Sequence, residues 1–471
     1  MTKREKDFRI ERDTLGEVRV PKDKLYGAQT ERSRTNFIIG SQKMPQPVIY
    51  AIAYIKKAAA LVNCKLGILS VEKCNAIVSG AEAILSGELD DHFPLVVWQT
   101  GSGTQSNMNV NEVISNYASQ KAGMSLGSHK PLHPNDDVNK SQSSNDVFPS
   151  AMHIAAILQI TRHLLPNLSL LLRGLEKKSQ EFQDIIKVGR THLMDATPIS
   201  LGQEFSGYAA QIKNSLQAIS HSVDKLREIA LGGTAVGTGI NAPKEYATLV
   251  AKELSLLIGE ELFSAPNKFE ALACSDNILE MSGCLKRLAA SLMKIAGDIA
   301  LLSSGPRCGI GEIILPSNEP GSSIMPGKVN PTQCESMAMV ACQVIGNDAT
   351  ITMACSNGRL ELNVFRPVMI YNLLGSITLL TDSVSNFYYK CVEGIQPNHA
   401  TIERHLENSL MSVTALTPSI GYEKAATIVK KAFHEKISIG EAAEKLGILS
   451  RQESKKLMNF RKLANLDKEK N

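Results

Sequence analysis

Eight apolar residues, Ile278, Met281, Leu285, Leu288, Leu292, Ile295, Ile299 and Leu302, recur at steps of 3, 4, 3, 4, 3, 4 and 3. That spacing keeps one apolar stripe on one side of an α-helix for more than three heptads. A strand, whose side chains alternate with period two, cannot use it. Tyr208, Ile212, Leu216, Ile219, Val223, Leu226 and Ile229 predict a second long amphipathic helix, and 151–178, 333–355 and 367–390 add others. Long helices with short breaks pack as an extended bundle, so the fold class is mainly α with a long central helical bundle. A bundle of this size leaves apolar faces uncovered, and oligomerisation is the natural way to bury them.

The chain around this bundle is long enough, at 471 residues, for a large core and roughly two to four domains. We expect three: a mixed, mostly helical N-terminal domain over 1–140, the long-helix bundle over 141–395, and a small helical domain over 396–471. Thr14–Pro21 has strand-like alternation, and Ile52–Leu66 with Val71–Leu85 reads as a helical hairpin across Gly67. After Pro397, breakers at Pro418, Gly421 and Gly440 separate short helices.

Apolar residues make up 43% and charged residues 21%, with a net charge of +4 and no basic block, which gives no case for nucleic acid or an anionic membrane. The longest apolar runs, such as Leu164–Leu172, are interrupted by Pro166 and Asn167, so no membrane span is expected. Nine scattered cysteines without a C-x-x-C pair argue for reduced thiols and a cytoplasmic protein, against a disulfide frame or zinc site. The first seven residues are too acidic and polar for a signal or transit peptide.

Polar islands interrupt the helices. In Gly321-Ser322-Ser323-Ile324-Met325-Pro326-Gly327-Lys328-Val329-Asn330-Pro331, the glycines and prolines forbid regular structure, so 316–331 is a loop, with Pro331 near a helix start. Two hydroxyls, an ammonium and an amide on such a loop suit a lid over an anionic substrate; a plain surface connection is the alternative. Thr100-Gly101-Ser102-Gly103-Thr104 lacks the third glycine of a dinucleotide loop and reads as a turn opening a helix. Its N–H groups and hydroxyls can cradle a carboxylate, or merely cap. His133-Pro134-Asn135-Asp136-Asp137 has no common metal-ligand spacing, and Asn135 or Asp136 is expected to cap a helix. His192, in the polar loop 189–198, is either catalytic or structural on local grounds. Gly232–Gly239 lacks a P-loop lysine.

Taken together, G-S-S-x-M-P-x-K-x-N-P at 321–331, T-G-S-G-T-Q-S-N-M-N-x-N-E at 100–112, H-P-N-D-D-V-N at 133–139 and G-R-T-H-x-x-D-A-x-P at 189–198 resemble the fumarase/aspartase superfamily. Gly327 and the tail Thr332-Gln333-Cys334-Glu335 are similar to class II fumarases in particular, since aspartate ammonia-lyases usually carry Ala at the position of Gly327. The resemblance implies a three-domain, fumarase/aspartase-like chain in a homotetramer with active sites shared between subunits. It implies a reversible hydration of fumarate to L-malate through an aci-carboxylate intermediate. Aspartate ammonia-lyase, or a non-catalytic structural relative, is the alternative.

By the same resemblance Ser322 is the base, while His192 with Glu335 acts on the leaving hydroxyl. Ser102, Gly103, Thr104, Ser143, Ser144, Asn145, Thr191, Ser323, Lys328, Val329 and Asn330 bind the dicarboxylate. His133, Pro134, Asn135 and Asp136 form a secondary anion site, in which Lys130 stands where many relatives have Arg. The scheme requires no metal, nucleotide or redox cofactor. Its dominant task is to stabilise charge developing on a carboxylate in a dry site.

Overall fold

The seam over 278–302 is a single helix, Asp276–Leu302, in the computed structural model, which describes residues 7–466. All eight seam residues are buried. The other long helices are Ser144–Gln159, continued through a π-turn at Ile160–Leu164 into Leu165–Glu181, then Leu201–Leu226, Thr332–Cys355 and Arg366–Lys390. The helix expected to run to Ile229 stops at Leu226. Ile229 instead joins a two-residue strand, Glu228–Ile229, paired in parallel with Phe263–Ser264. It stays fully buried there, so the apolar spacing continued past the end of the helix.

The chain divides into two compact units, and it passes between them within these longest helices. One gathers the described chain up to Pro166 with Gln217–Ala289 and Cys342–Thr381. It opens with an antiparallel hairpin, Phe8–Asp13 and Gly16–Pro21, of which sequence alternation revealed only the second strand. In the first strand the inward residue is charged: Glu11 is 4% exposed while Ile10 is 57% exposed. Arg9 explains the inversion, because it donates to Glu11 Oε1 (2.6 Å) and to the carbonyls of Pro21 (2.6 Å), Lys24 (2.7 Å) and Tyr26 (2.7 Å). Helices Gln46–Lys65 and Val71–Leu85 form the expected hairpin, with Gly67 at φ 73° in the connection. Gln46–Lys65 also packs against Ser144–Gln159 and Tyr246–Ile258.

Three stretches, Gln46–Lys65, Ser144–Glu181 and Arg366–Gly394, each reach a mean hydropathy of 1.2, long and apolar enough to cross a membrane by length and composition. This corrects the expectation drawn from uninterrupted apolar runs, because single polar residues break a run without lowering its average much. Within Gln46–Lys65, 67% of the apolar window is buried inside the protein.

The same helix carries Lys56, fully buried and donating to Asn139 Oδ1 and Gln142 Oε1, each at 2.9 Å. Asn139 Oδ1 also accepts from the amides of Asn107 (3.1 Å) and Asn111 (3.2 Å). A buried amine donor thus fixes the irregular segment that leads into helix Ser144–Gln159.

The second unit comprises Asn167–Leu216, Ala290–Ala341 and the described chain from Asp382. It contains the hairpin Ile186–Thr191/Met194–Ser200 and the short pair Ile313–Ile314/Gln396–Pro397. Its C-terminal helices close over their own apolar cluster, including Leu416, Ile428, Ile439 and Ala442.

Gly103 has φ 78°, and a Cβ there would meet the Phe148 ring at 2.2 Å, so Gly103→Ala should cost on the order of 3 kcal/mol in urea unfolding. Burial pushes the Lys56 ammonium down to about 7, against an ordinary value of 10.5. Between those values the unfolded chain holds the proton that the folded chain has shed, so stability rises with pH across that window. At fixed protein concentration, unfolding free energy should rise from pH 7.5 to 9.5 by roughly 2 kcal/mol more in the parent than in Lys56→Met.

Candidate active site

In the first unit, the Thr100–Thr104 turn does open a helix, Thr104–Lys121. The cap residue is Gly103 in the left-handed region, and neither hydroxyl caps the helix end. The hydroxyls join in a row instead: Ser102 Oγ lies 2.8 Å from Thr104 Oγ1, which lies 2.7 Å from Ser144 Oγ. Two islands forty residues apart in sequence thereby share one hydrogen-bonded line. Gly101 is required because a Cβ there would overlap the Val364 carbonyl oxygen at 1.4 Å, where the backbone closes on Arg366 N–H (3.1 Å).

Ser143 begins helix Ser144–Gln159 with a capping box. Its Oγ accepts from Asn145 N (3.2 Å), and Asp146 Oδ1 accepts from Ser143 N (2.9 Å). Asp146 Oδ2 also accepts from Gly232 N and Thr234 N, each at 2.9 Å, tying the glycine-rich turn to the same point. Burial pushes the Asp146 carboxyl up to about 6, against the pull of these N–H donors and of Lys56. Fully buried Arg366 donates to the carbonyl of Asn145 (2.9 Å) and to that of Leu272, and Asn145 Nδ2 donates to Ala235 O (2.8 Å). Asp146, Arg366 and Lys56 did not emerge from the sequence reading. Asp146 had a legible signal, its place three residues after a cap serine; Arg366 had none.

In the second unit, residues 316–331 are irregular, and Pro331 immediately precedes helix Thr332–Cys355. Its carbonyl accepts from Cys334 N (2.9 Å) and Glu335 N (3.2 Å), the first-turn role proline tolerates. The loop is pinned at its base: Gly321 N donates to Lys328 O (2.7 Å), and Asn330 Nδ2 donates to Gly321 O (2.8 Å). Ser322 Oγ accepts from two consecutive backbone donors, Ile324 N (3.2 Å) and Met325 N (3.0 Å). Lys328 Nζ donates to Asn330 Oδ1 at 2.7 Å, so the cation and amide are paired. Ser323 and Val329 are exposed on the same loop, and a cleft of about 460 Å³ beside it is lined by Lys328, Asn330, Ser303, Ser304 and Ile313.

The segment 189–198, expected as a loop, is most of a β-hairpin. Thr191 pairs with Met194, leaving His192 and Leu193 as the two-residue turn, with φ 57° and 62°. Positive φ at both turn residues matches strand twist and normally calls for Asn or Gly, which explains why His-Leu gave no hairpin signal. Thr191, His192 and Glu335 are exposed, and among the described residues no hydrogen bond joins His192 to Glu335.

At the candidate secondary anion site, the helical turn Pro134–Val138 is capped by His133, not by Asn135 or Asp136. His133 Nδ1 accepts from Asn135 N and Asp136 N, both at 3.2 Å. A ring nitrogen aimed along the chain reaches both donors, while Asn135 and Asp136 already lie inside the turn. Pro134 is buried there, and the His129 ring stands edge-on to His133 at 4.7 Å. Among the described residues no group of three or more His, Cys, Asp or Glu side chains is placed to hold a metal ion.

Residues 16–346 match the family described as Lyase, and 413–465 match the Fumarase C C-terminus family. The chain is 56% identical to fumarate hydratase class II of Helicobacter pylori over 451 residues, covering 96% of this chain and 97% of that protein. It is also 56% identical to the fumarate hydratase class II of Bacillus subtilis, covering 95% of this chain and 96% of that protein. The crystal structure of class II fumarase from Schistosoma mansoni superposes with a TM-score of 0.95 at 43% identity, covering 98% of this chain and 100% of that one. With agreement of sequence and backbone along nearly its whole length, the chain belongs to the class II fumarate hydratase family.

Proposed function

We infer that this chain is a hydro-lyase that interconverts fumarate and L-malate, with Ser322 as the base. The observation that carries the assignment of the base is the pair of N–H groups of Ile324 and Met325 aimed at Ser322 Oγ. A serine hydroxyl is a poor base, and its alkoxide becomes accessible only where fixed donors hold the negative charge. In the malate direction, Ser322 alkoxide takes the proton from the carbon next to a carboxylate. The bonding electrons pass into that carboxylate to give the aci-form. The C–O bond then breaks, and the hydroxyl departs as water with a proton delivered by way of His192, which Glu335 orients and charges once assembly of the shared site brings the two together.

Carboxylate binding falls to the hydroxyl row Ser102, Thr104 and Ser144, to Ser143, Asn145, Thr191 and Ser323, and to Lys328 and Asn330, with Gly103 and Val329 offering backbone groups. Substrate arrival replaces the Lys328–Asn330 contact with contacts to the dianion, which a charged ammonium favours strongly in a closed site. The chain works as a homotetramer with sites shared between subunits. Exposed apolar side chains support this: Leu193 (73%) and Met194 (69%) at the hairpin, Ile324 (83%) and Met325 (50%) on the loop. Exposed apolar side chains of this kind are what a contact with another chain would cover. His133, Pro134, Asn135 and Asp136 serve as a secondary anion site, and the free thiols suit a cytoplasmic enzyme.

Absorbance at the fumarate band should fall on hydration and rise when L-malate is supplied; aspartate as sole substrate should give no signal, and ammonia release from it would reverse the assignment. Ser322→Ala should lower kcat by about 10²–10⁴ with the oligomer intact, and near-normal turnover would remove Ser322 from the base role. His192→Asn should lower kcat while unfolding free energy stays within about 1 kcal/mol, because Asn accepts positive φ more readily than His. Aggregation of that variant would instead mark a structural histidine.

A further inference from the structure

The hairpin tip that carries His192 is held in a conformation its own residues disfavour. Non-glycine residues at positive φ cost on the order of 1–2 kcal/mol each, so the surroundings must impose the turn. The means lies behind the tip. Lys187 and Arg190 stand three apart on one strand, a spacing that points side chains to opposite faces in regular pleating. The register shifts between Val188 and Arg190, and this bulge brings both cations to the same face. Gly189 permits it, since a Cβ there would meet the Thr197 carbonyl oxygen at 2.5 Å.

Both cations converge on Glu312, which is wholly buried. Arg190 makes a two-pronged contact, its two terminal nitrogens 3.0 and 2.8 Å from Oε2 and Oε1. Lys187 Nζ lies 3.2 Å from Oε2, and His405 Nδ1, on helix His399–Asn408, lies 3.2 Å from Oε1. The Glu312 backbone is itself fixed at both ends, its N–H donating to Leu302 O (2.9 Å) and its carbonyl accepting from Asn398 N (2.8 Å). Burial opposes ionisation of Glu312, but Arg190 and Lys187 hold its carboxyl below the ordinary glutamate range.

We propose that Glu312 is a positioning residue for the hydration reaction, acting through Lys187 and Arg190 to fix where His192 points. Arg190 is the residue before Thr191, so an error at the carboxylate passes to the tip through only two peptide units. The inference rests on the reading of His192 as a participant in the reaction. Glu312 itself touches no substrate; it sets the aim of a group that does. The side chain length matters as much as its charge, because one carboxylate must reach three partners at once.

A double-mutant cycle on the full-length, assembled enzyme tests this, with Glu312→Gln, His192→Asn and the pair together. Glu312→Gln should lower kcat by about 100-fold, the size expected from misplacing a reacting group by an ångström, and move KM for malate less than about threefold. In the His192→Asn background the same change should cost almost nothing further, since the group being aimed is gone. Equal losses in both backgrounds, or an unchanged kcat in the single variant, would overturn the proposal. If His192→Asn alone kept full turnover, the reading of His192 would fail, and that outcome is visible without Glu312. Should Glu312→Gln not assemble, Glu312→Asp, which keeps the charge and shortens the reach, runs through the same cycle. Failure of both to assemble would make Glu312 a structural residue and end the inference.

Discussion

Asp146 accepts from the backbone N–H groups of Ser143, Gly232 and Thr234 from a position with no access to water. Several polar residues of this enzyme sit at helix starts or on loops that have no regular hydrogen-bond ladder of their own, and these need a fixed partner inside the fold. A buried carboxylate supplies one because it accepts several donors at once, and its desolvation cost is offset only when it does. Glu112 repeats the device: it accepts from Gly27 N (2.9 Å), Gln29 N (2.8 Å) and the Thr30 hydroxyl (2.6 Å), and burial pushes its carboxyl up to about 7. Glu312 does the same for side chains in place of backbone. In each case an internal carboxylate fixes the start of a helix or the course of a hairpin.

The helices themselves were legible because their demands are local. The seam through Asp276–Leu302 follows from spacing alone, and Gly67, Gly327 and Pro331 marked breaks that the backbone honours. What escaped notice used side chains in roles that apolar spacing and common turn or cap chemistry do not announce. Phe8–Asp13 turns its charged residue inward because Arg9 neutralises Glu11, and no apolar alternation announces such a strand. The hairpin at Ile186–Ser200 ends in His-Leu where turn chemistry asks for Asn-Gly. His133 rather than a neighbouring Asn or Asp caps its helix, a role an imidazole takes only in a suitable rotamer.

For the site the division is similar. The islands carrying Ser102, Ser144, Thr191 and Ser322 could be marked in the sequence by breakers and hydroxyls, and the family resemblance gave them roles. The joining of Thr104 to Ser144 could not be read that way, since it needs two helix starts to face each other. Nor could Arg366, which reaches back to Asn145 across more than two hundred residues of chain.

The line of hydroxyls from Ser102 through Thr104 to Ser144 carries a further consequence. Each O–H can rotate, and each oxygen can give or take a proton bond, so the row has two senses of polarity related by turning three hydrogens. An anion at one end selects the sense that aims donors toward it, and each bond so aligned strengthens the next. A single set of oxygen positions can therefore answer to ligands of different charge layout without shifting the backbone that bears them.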